Sequence, residues 1–501
     1  MKMTEKDFLA LVKEINLLES TLALTGWDVQ TGMPEKASDY RTEQEAFLSQ
    51  LLFERLTGKR MREAMEHFDT REDELSDFGK KVFAKVKEDY DVFSALSEED
   101  FDMYQRAVSL SYNAWLKARE SKNFADFKEF LGKIIELKRK FIPLWRKDEK
   151  TPYDVLLNQY EPGMTVEILD EIFDKVRDGI LAIRATLAEK GVEPETDFLS
   201  RTVSREQQEA FARNLAEQLG FDFSRGRLDV AVHPFMTGFN RNDVRLTTKW
   251  NETDFQMGVF GVLHEQGHGQ YEQNVAEQYV YTPLASDMSM GLHESQSLFQ
   301  EIMIGSNEAF WQKQYPLFQK ITKGTFDDVP FGVFYRGLKK SQASFIRIEA
   351  DTLTYVLHII IRYEVEKAIF NENVPVEQLP ELWNNKYEEY LGIRPSNDLE
   401  GVLQDIHWSG GDFGYFPSYA LGYMYAAQMK HSMKADLDFE EVLLSDDYQP
   451  IKHWLDKKVR TFGASMKPKE VLFHATGEDL NPEYLLEELK KLYYNVYQIE
   501  N

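Results

Sequence analysis

The chain of 501 residues contains no cysteine. Disulfides, thiolate metal sites and cysteine nucleophiles are excluded, and such a composition suits a reducing, cytoplasmic setting. Any metal ion must be held by His, Asp or Glu. Long apolar runs are missing too. The most apolar, Tyr355 to Ile361 (YVLHIII), is far too short to span a bilayer and includes His358. The first twenty residues, MKMTEKDFLALVKEINLLES, spread charge through an amphipathic pattern and lack the layout of a signal peptide. Positive charge is scarce: 59 Lys and Arg against 85 Asp and Glu leave a net charge of −26. So acidic a chain repels phosphate backbones and anionic lipid, so neither nucleic acid nor a membrane is expected as its partner. Ser/Gly-rich linkers and fixed-period repeats are also absent, and residues 1–501 read as a single domain.

Helical periodicity fills most of the remainder. Residues 4–24, 41–66, 73–93, 97–120, 123–147, 166–191 and 204–219 place apolar side chains at i, i+3, i+4 spacing. Breaks are expected from Gly26 to Ser38, around Thr151-Pro152-Tyr153 and from Tyr160 to Thr165. Leu228 to His233 and Val244 to Lys249 alternate like strands, with Gly238 to Asn242 as the turn between them. The fold class expected is mainly α: a large helical, bundle-like molecule with one small sheet.

The stretch Gly261 to Glu272 reads GVLHEQGHGQYE. Residues at i and i+4 share a helix face, so His264 and His268 can direct two imidazoles at one ion, with Glu265 beside it. Two ligands do not make a site. A third histidine ten residues after the first would fall at Asn274, and Glu272 lies about 12 Å of helical rise from His264, beyond a shared ion. The third ligand must come from another helix. Beyond Pro283, Ser289 or Asp287 can cap a new helix whose second turn holds Glu294. Glu294 is the ligand expected, and Glu301, two turns further along, is its competitor. His293 points about 100° away from Glu294 and is left to substrate, to an acid behind the site, or to the core.

Two histidines and a glutamate leave an open coordination position for water, the hydrolytic arrangement. Glu265 then acts as general base and returns the proton to a leaving amine. Zinc is the default ion, one per chain, with cobalt a possible substitute.

Five motifs in one order resemble a known family: His233-Pro234-Phe235, Asp243 to Thr247 (DxRxT), His264 to His268 (HExxH), His293-Glu294-Ser295, and Gly401 to Trp408 (GxxQDxHW). The chain is similar to metallocarboxypeptidases of the carboxypeptidase Taq (thermostable carboxypeptidase 1) family. The resemblance implies release of C-terminal amino acids from peptides by attack of a water held on the metal, with broad specificity and proline disfavoured. It also implies a helical fold with a deep groove between two lobes, like neurolysin and angiotensin-converting enzyme, with the sheet beside the metal helix, and a homodimer. It carries over His264, His268 and Glu294 as ligands and Glu265 as the catalytic glutamate. His233, Arg245, His293 and His407 are placed with the substrate.

A carboxypeptidase needs a cation for the terminal carboxylate. Residues 344–362 read as one apolar helix crossed by a polar stripe of Arg347, Asp351, Tyr355, His358 and Arg362. Arg347 is the expected carboxylate partner; the alternative is an Arg–Asp pair that only joins helices. The Gly- and Tyr-rich stretch from Trp408 to Tyr423 suits a groove wall. From it Tyr423 is the preferred oxyanion donor, because relatives with this groove use a downstream tyrosine; Tyr419, Tyr415 and His407 compete. The Val244 to Thr248 strand offers an edge to an extended peptide. Two other functions stay open: a zinc oligopeptidase or dipeptidyl-type peptidase, and a non-catalytic helical scaffold.

Overall fold

In the computed structural model, which describes residues 3–500, many helices start where a side-chain oxygen takes up their free N–H groups. Thr4 caps α1 (Glu5–Thr31), which is followed by α2 (Ser38–Thr57) and α3 (Lys59–Asp69). Ser76 and Ser97 cap α4 (Asp77–Ser94) and α5 (Glu98–Ser121); α6 (Ala125–Trp145) and α7 (Pro152–Leu157) come next. Thr165 and Ser204 cap α8 (Val166–Lys190) and α9 (Arg205–Leu219).

Two expectations are corrected here. The helix does not break at Gly26: α1 runs on to Thr31, which buries Trp27 against Phe235 and Phe239. Burying an indole outweighs the roughly 1 kcal/mol that a helical glycine costs. Residues 41–66 are not one helix but parts of two, because the chain is extended at Gly58.

The sheet comprises β1 (Gly226–Val230), β2 (Met236–Asn240) and β3 (Asp243–Thr248) in the order β1-β3-β2. β1 runs parallel to β3, and β2 antiparallel to it. The stretch expected as a turn therefore holds a strand, and only Arg241 and Asn242 turn the chain. Gly238 reads as a turn residue but marks a close approach: a Cβ there would sit 2.8 Å from Glu272 Oε2. β3 is the central strand, hydrogen-bonded on both sides, so it has no free edge for a peptide.

After the sheet come α10 (Phe255–Asn274) and α11 (Met290–Leu298), the latter capped by Ser289 and continued by a π-helical turn, Phe299–Ile304. Then follow α12 (Glu308–Ile321), α13 (Phe331–Leu338), α14 (Tyr355–Asn371) and α15 (Leu379–Leu391). The short α16 (His407–Gly410) leads into α17 (Pro417–Met433), and α18 (Phe439–Leu444), α19 (Gln449–Lys458), α20 (Pro468–Thr476) and α21 (Glu483–Val496) complete the molecule. The helix expected from Ser344 begins only at Tyr355, and Arg347 lies in a separate 3-10 turn. Asp351 accepts the N–H groups of Leu353 and Thr354, so helical turns start after it.

One apolar cluster extends from Phe8 to Tyr497. Among the described residues no helix is long and apolar enough to cross a membrane.

Candidate metal centre

α11 lies between α10 and α17, and glycine sets both spacings. A Cβ at Gly267 would come 2.3 Å from the Gln296 carbonyl oxygen, and one at Gly422 would come 2.8 Å from Glu294 Cβ. The backbones therefore meet closely enough for side chains of α10 and α11 to converge.

His264 Nε2 and His268 Nε2 lie 3.8 and 3.2 Å from Glu294 Oε2. Ligand atoms about 2 Å from a tetrahedral ion are about 3.3 Å apart, so the three fit one cation. An orphaned atom at the same place supports the fit: Glu294 Oε1 is buried without a hydrogen-bond partner. The His264 and His268 side chains keep 23% and 14% of their exposure, so the recess is open to water.

The two imidazoles are oriented differently. His264 Nδ1 pairs with Glu301 Oε2 at 2.8 Å, leaving Nε2 for the ion. Glu301 belongs to the π-helical turn and stands behind His264 instead of joining the trio. His268 instead stacks on His293, with centroids 4.4 Å apart, and His293 Nε2 pairs with Glu272 Oε1 at 3.2 Å. His293 thus reaches an acid behind the site.

Glu265 is nearly buried beside them, and that burial pushes its carboxyl up to about 7, with His264 opposing and Glu294 adding. Burial disfavours charge on both histidines. At His264 the carboxylates of Glu294 and Glu301 overcome it and lift the imidazole to about 10; at His268, burial and then His293 push it down to about 4. Three carboxylates around two imidazoles attract a cation or, without one, a proton.

A second cluster surrounds Asp405. Arg347 Nε and Arg362 Nε reach its two oxygens at 3.0 and 2.5 Å, and Gln404 bridges the Arg347 N–H and Arg362 Nη2. Burial opposes the Asp405 charge, yet the two guanidiniums hold its carboxyl well below the usual range. Two cations on one carboxylate leave a surplus positive charge. The Tyr419 ring lies 5.0 Å from the Arg347 guanidinium, and Tyr415 stacks on His407, whose Nδ1 is buried without a partner. Burial raises the phenols of Tyr355, Tyr415 and Tyr419, and Glu294 adds to each. Tyr423 donates instead to the Thr352 carbonyl at 3.1 Å.

His233 is exposed in the loop between β1 and β2. Arg245 pairs with Asp243 at 2.8 and 2.9 Å and lies 4.7 Å from the Phe239 ring. Sequence reasoning quoted Asp405 inside a motif without giving it a role, and it set Glu272 aside. The signal for Asp405 was an acid beside Gln404 in a chain with two arginines on an apolar stretch.

The family model for carboxypeptidase Taq (M32) metallopeptidases matches residues 7–493. Carboxypeptidase 1 of Bacillus subtilis is 44% identical over 98% of both chains. Thermostable carboxypeptidase 1 of Thermus thermophilus is 33% identical over 98% of both. The crystal structure of the M32 carboxypeptidase of Deinococcus radiodurans, 30% identical, superposes with a TM-score of 0.95 over 98% of this chain and 99% of that one. With a recess that gathers His264, His268 and Glu294 and a match along nearly its whole length, the chain belongs to the carboxypeptidase Taq (M32) family and is a metallocarboxypeptidase.

Proposed function

We propose that this metallocarboxypeptidase trims peptides of varied sequence one C-terminal residue at a time, with proline poorly accepted. One zinc ion per chain is held by His264, His268 and Glu294, and cobalt can replace it. The observation that carries the reading is the convergence of those three ligand atoms, all within 4.8 Å of one another. A divalent ion supplies Lewis acidity there, polarising the scissile carbonyl and acidifying water.

Glu265 takes the proton from the attacking water and delivers it to the leaving amine, a task suited to a carboxyl pushed up to about 7. Glu301 fixes the His264 ring through Nδ1. Arg347 receives the terminal carboxylate, supported by the surplus charge of the Arg347–Asp405–Arg362 cluster and by the fork geometry of a guanidinium. Tyr419 and Tyr415 are better placed than Tyr423 to donate to the oxyanion. They sense the Glu294 charge, whereas the Tyr423 hydroxyl is committed to Thr352. His407 stands beside Tyr415; His233 and Arg245 belong with more distant parts of the peptide. The same reading takes residues 1–501 as one catalytic domain with two helical lobes flanking the groove. It also takes the protein as a cytoplasmic homodimer, which sedimentation at twice the 58.5 kDa chain mass tests.

Mass spectrometry of a mixed-peptide digest tests the reaction. Ladders shortened by single C-terminal residues, abolished by chelator and by Glu265→Gln, are expected. Internal cuts or dipeptide release overturn the exopeptidase reading, and a Glu265→Gln variant as active as the parent overturns the mechanism.

A further inference from the structure

Lys339 follows α13 immediately, and its ammonium lies 4.2 Å from the centroid of the Phe260 ring on α10. Phe260 precedes His264 by four residues, just over one turn or about 6 Å along the same helix face. The lysine is only 7% exposed, yet among the described residues its ammonium has neither a hydrogen bond nor an ion pair. The ammonium itself is not among the fully buried polar atoms without a partner, so the stem is buried while the charged end keeps contact with water. Among cations as deeply buried, Lys430, Arg362 and Arg460 each reach a carboxylate, at Glu488, Asp405 and Asp456, whereas Lys138, like Lys339, rests over aromatic rings, those of Tyr104 and Trp145.

The acids near Lys339 are committed elsewhere. Glu301 is bonded to His264 Nδ1, and Asp351 accepts from Ser341, Leu353 and Thr354. Burial pushes the lysine down to about 8 while Glu301 and Asp351 oppose that, so it stays largely cationic at neutral pH. The Glu301 side chain is 30% exposed and Phe260 is half-buried, so this side of the metal helix is not sealed from water. Arg347 is paired with Asp405, whereas Lys339 lies in the field of Glu301; the two cations belong to different clusters.

We propose that Lys339 is a specificity-determining residue whose ammonium receives an acidic side chain of the peptide substrate next to the scissile bond. This rests on the exopeptidase reading above. Broad trimming then carries a preference for Asp or Glu at one position, the C-terminal or the penultimate residue.

The test compares kcat/KM for matched peptides ending in Glu or Gln and in Asp or Asn, and for a second set varied only at the penultimate residue. The probe variant is Lys339→Met, which keeps the stem over Phe260 without the charge. The parent is expected to favour the acid at one of the two positions about tenfold, and Lys339→Met to bring that ratio close to one. Lys339→Arg is expected to keep the preference. Because Met keeps the apolar stem and removes a charge that no carboxylate pairs with, the melting temperature of the metal-loaded variant should stay level. Equal acid-to-amide ratios in parent and Lys339→Met overturn the proposal, as does a uniform loss across all peptides. In either event, single-residue trimming of neutral peptides by the parent leaves the exopeptidase reading standing; its absence sinks that reading instead.

Discussion

At the scale of single residues, the proposed mechanism separates Glu265, which moves a proton, from the three side chains that would hold the ion. Glu265 is beside His264 but outside the trio, so Glu265→Gln should lower kcat by roughly 10²–10⁴ while equilibrium dialysis still finds one ion bound. The groups behind the imidazoles behave oppositely. Removing Glu301 frees the His264 ring, and removing His293 unstacks His268, so Glu301→Ala and His293→Ala should each weaken metal binding roughly 10–100-fold in chelator competition. His293→Phe keeps a flat ring and should restore much of the loss. The sequence made it legible that His264, His268 and Glu294 could converge, because helical spacing and one cap constrain them strongly. It could not reveal that Glu301 backs His264, since a π-helical turn leaves no periodic signature, nor that Glu272 anchors His293, since that contact joins two helices.

At the scale of elements, the centre depends on how closely three helices approach. Gly267 stands inside the HExxH stretch, and a methyl there would meet the Gln296 carbonyl and Ser297 Cα, at 2.3 and 2.6 Å. Both are backbone atoms in a buried helix, so neither neighbour can yield cheaply. Gly267→Ala should therefore force α10 and α11 apart, costing roughly 1–3 kcal/mol in denaturant unfolding and weakening metal binding with it. The helices themselves were legible wherever caps and periodicity agreed, as for α8 and α9. Legibility failed where tertiary contacts overrode local signals. Trp27 draws α1 through Gly26, Gly238 lies in a strand where its missing side chain leaves room for Glu272, and Asp351 delays α14. Phe235 and Glu272 are far from their partners in sequence, so local pattern could not supply them, whereas the Asp351 turn is local and was masked by the apolar run around it.

At the scale of the whole molecule, the metal site joins parts of one continuous core, so binding and folding are linked. The −26 charge opposes compaction, and the recess concentrates that acidity around His264. A cation entering there relieves both. If the folded state alone binds it, free metal at a thousandfold over its dissociation constant stabilises by about 4 kcal/mol, and the melting temperature should rise by a few degrees. Glu294→Ala should abolish that rise. The same linkage fixes a proton count. Without metal His264 is lifted to about 10 and is protonated at pH 7.5, whereas a ligand must offer a neutral nitrogen, so binding should expel that proton. Glu265, at about 7 before the ion arrives, adds a fraction of a second proton. Calorimetric titration in buffers of different ionisation enthalpy should thus show between one and two protons released per ion at pH 7.5. Because His268 is pushed down to about 4, it contributes nothing to that number. A value near zero at pH 7.5 would mean that His264 is neutral before metal arrives and that the carboxylates around it are balanced by some other charge.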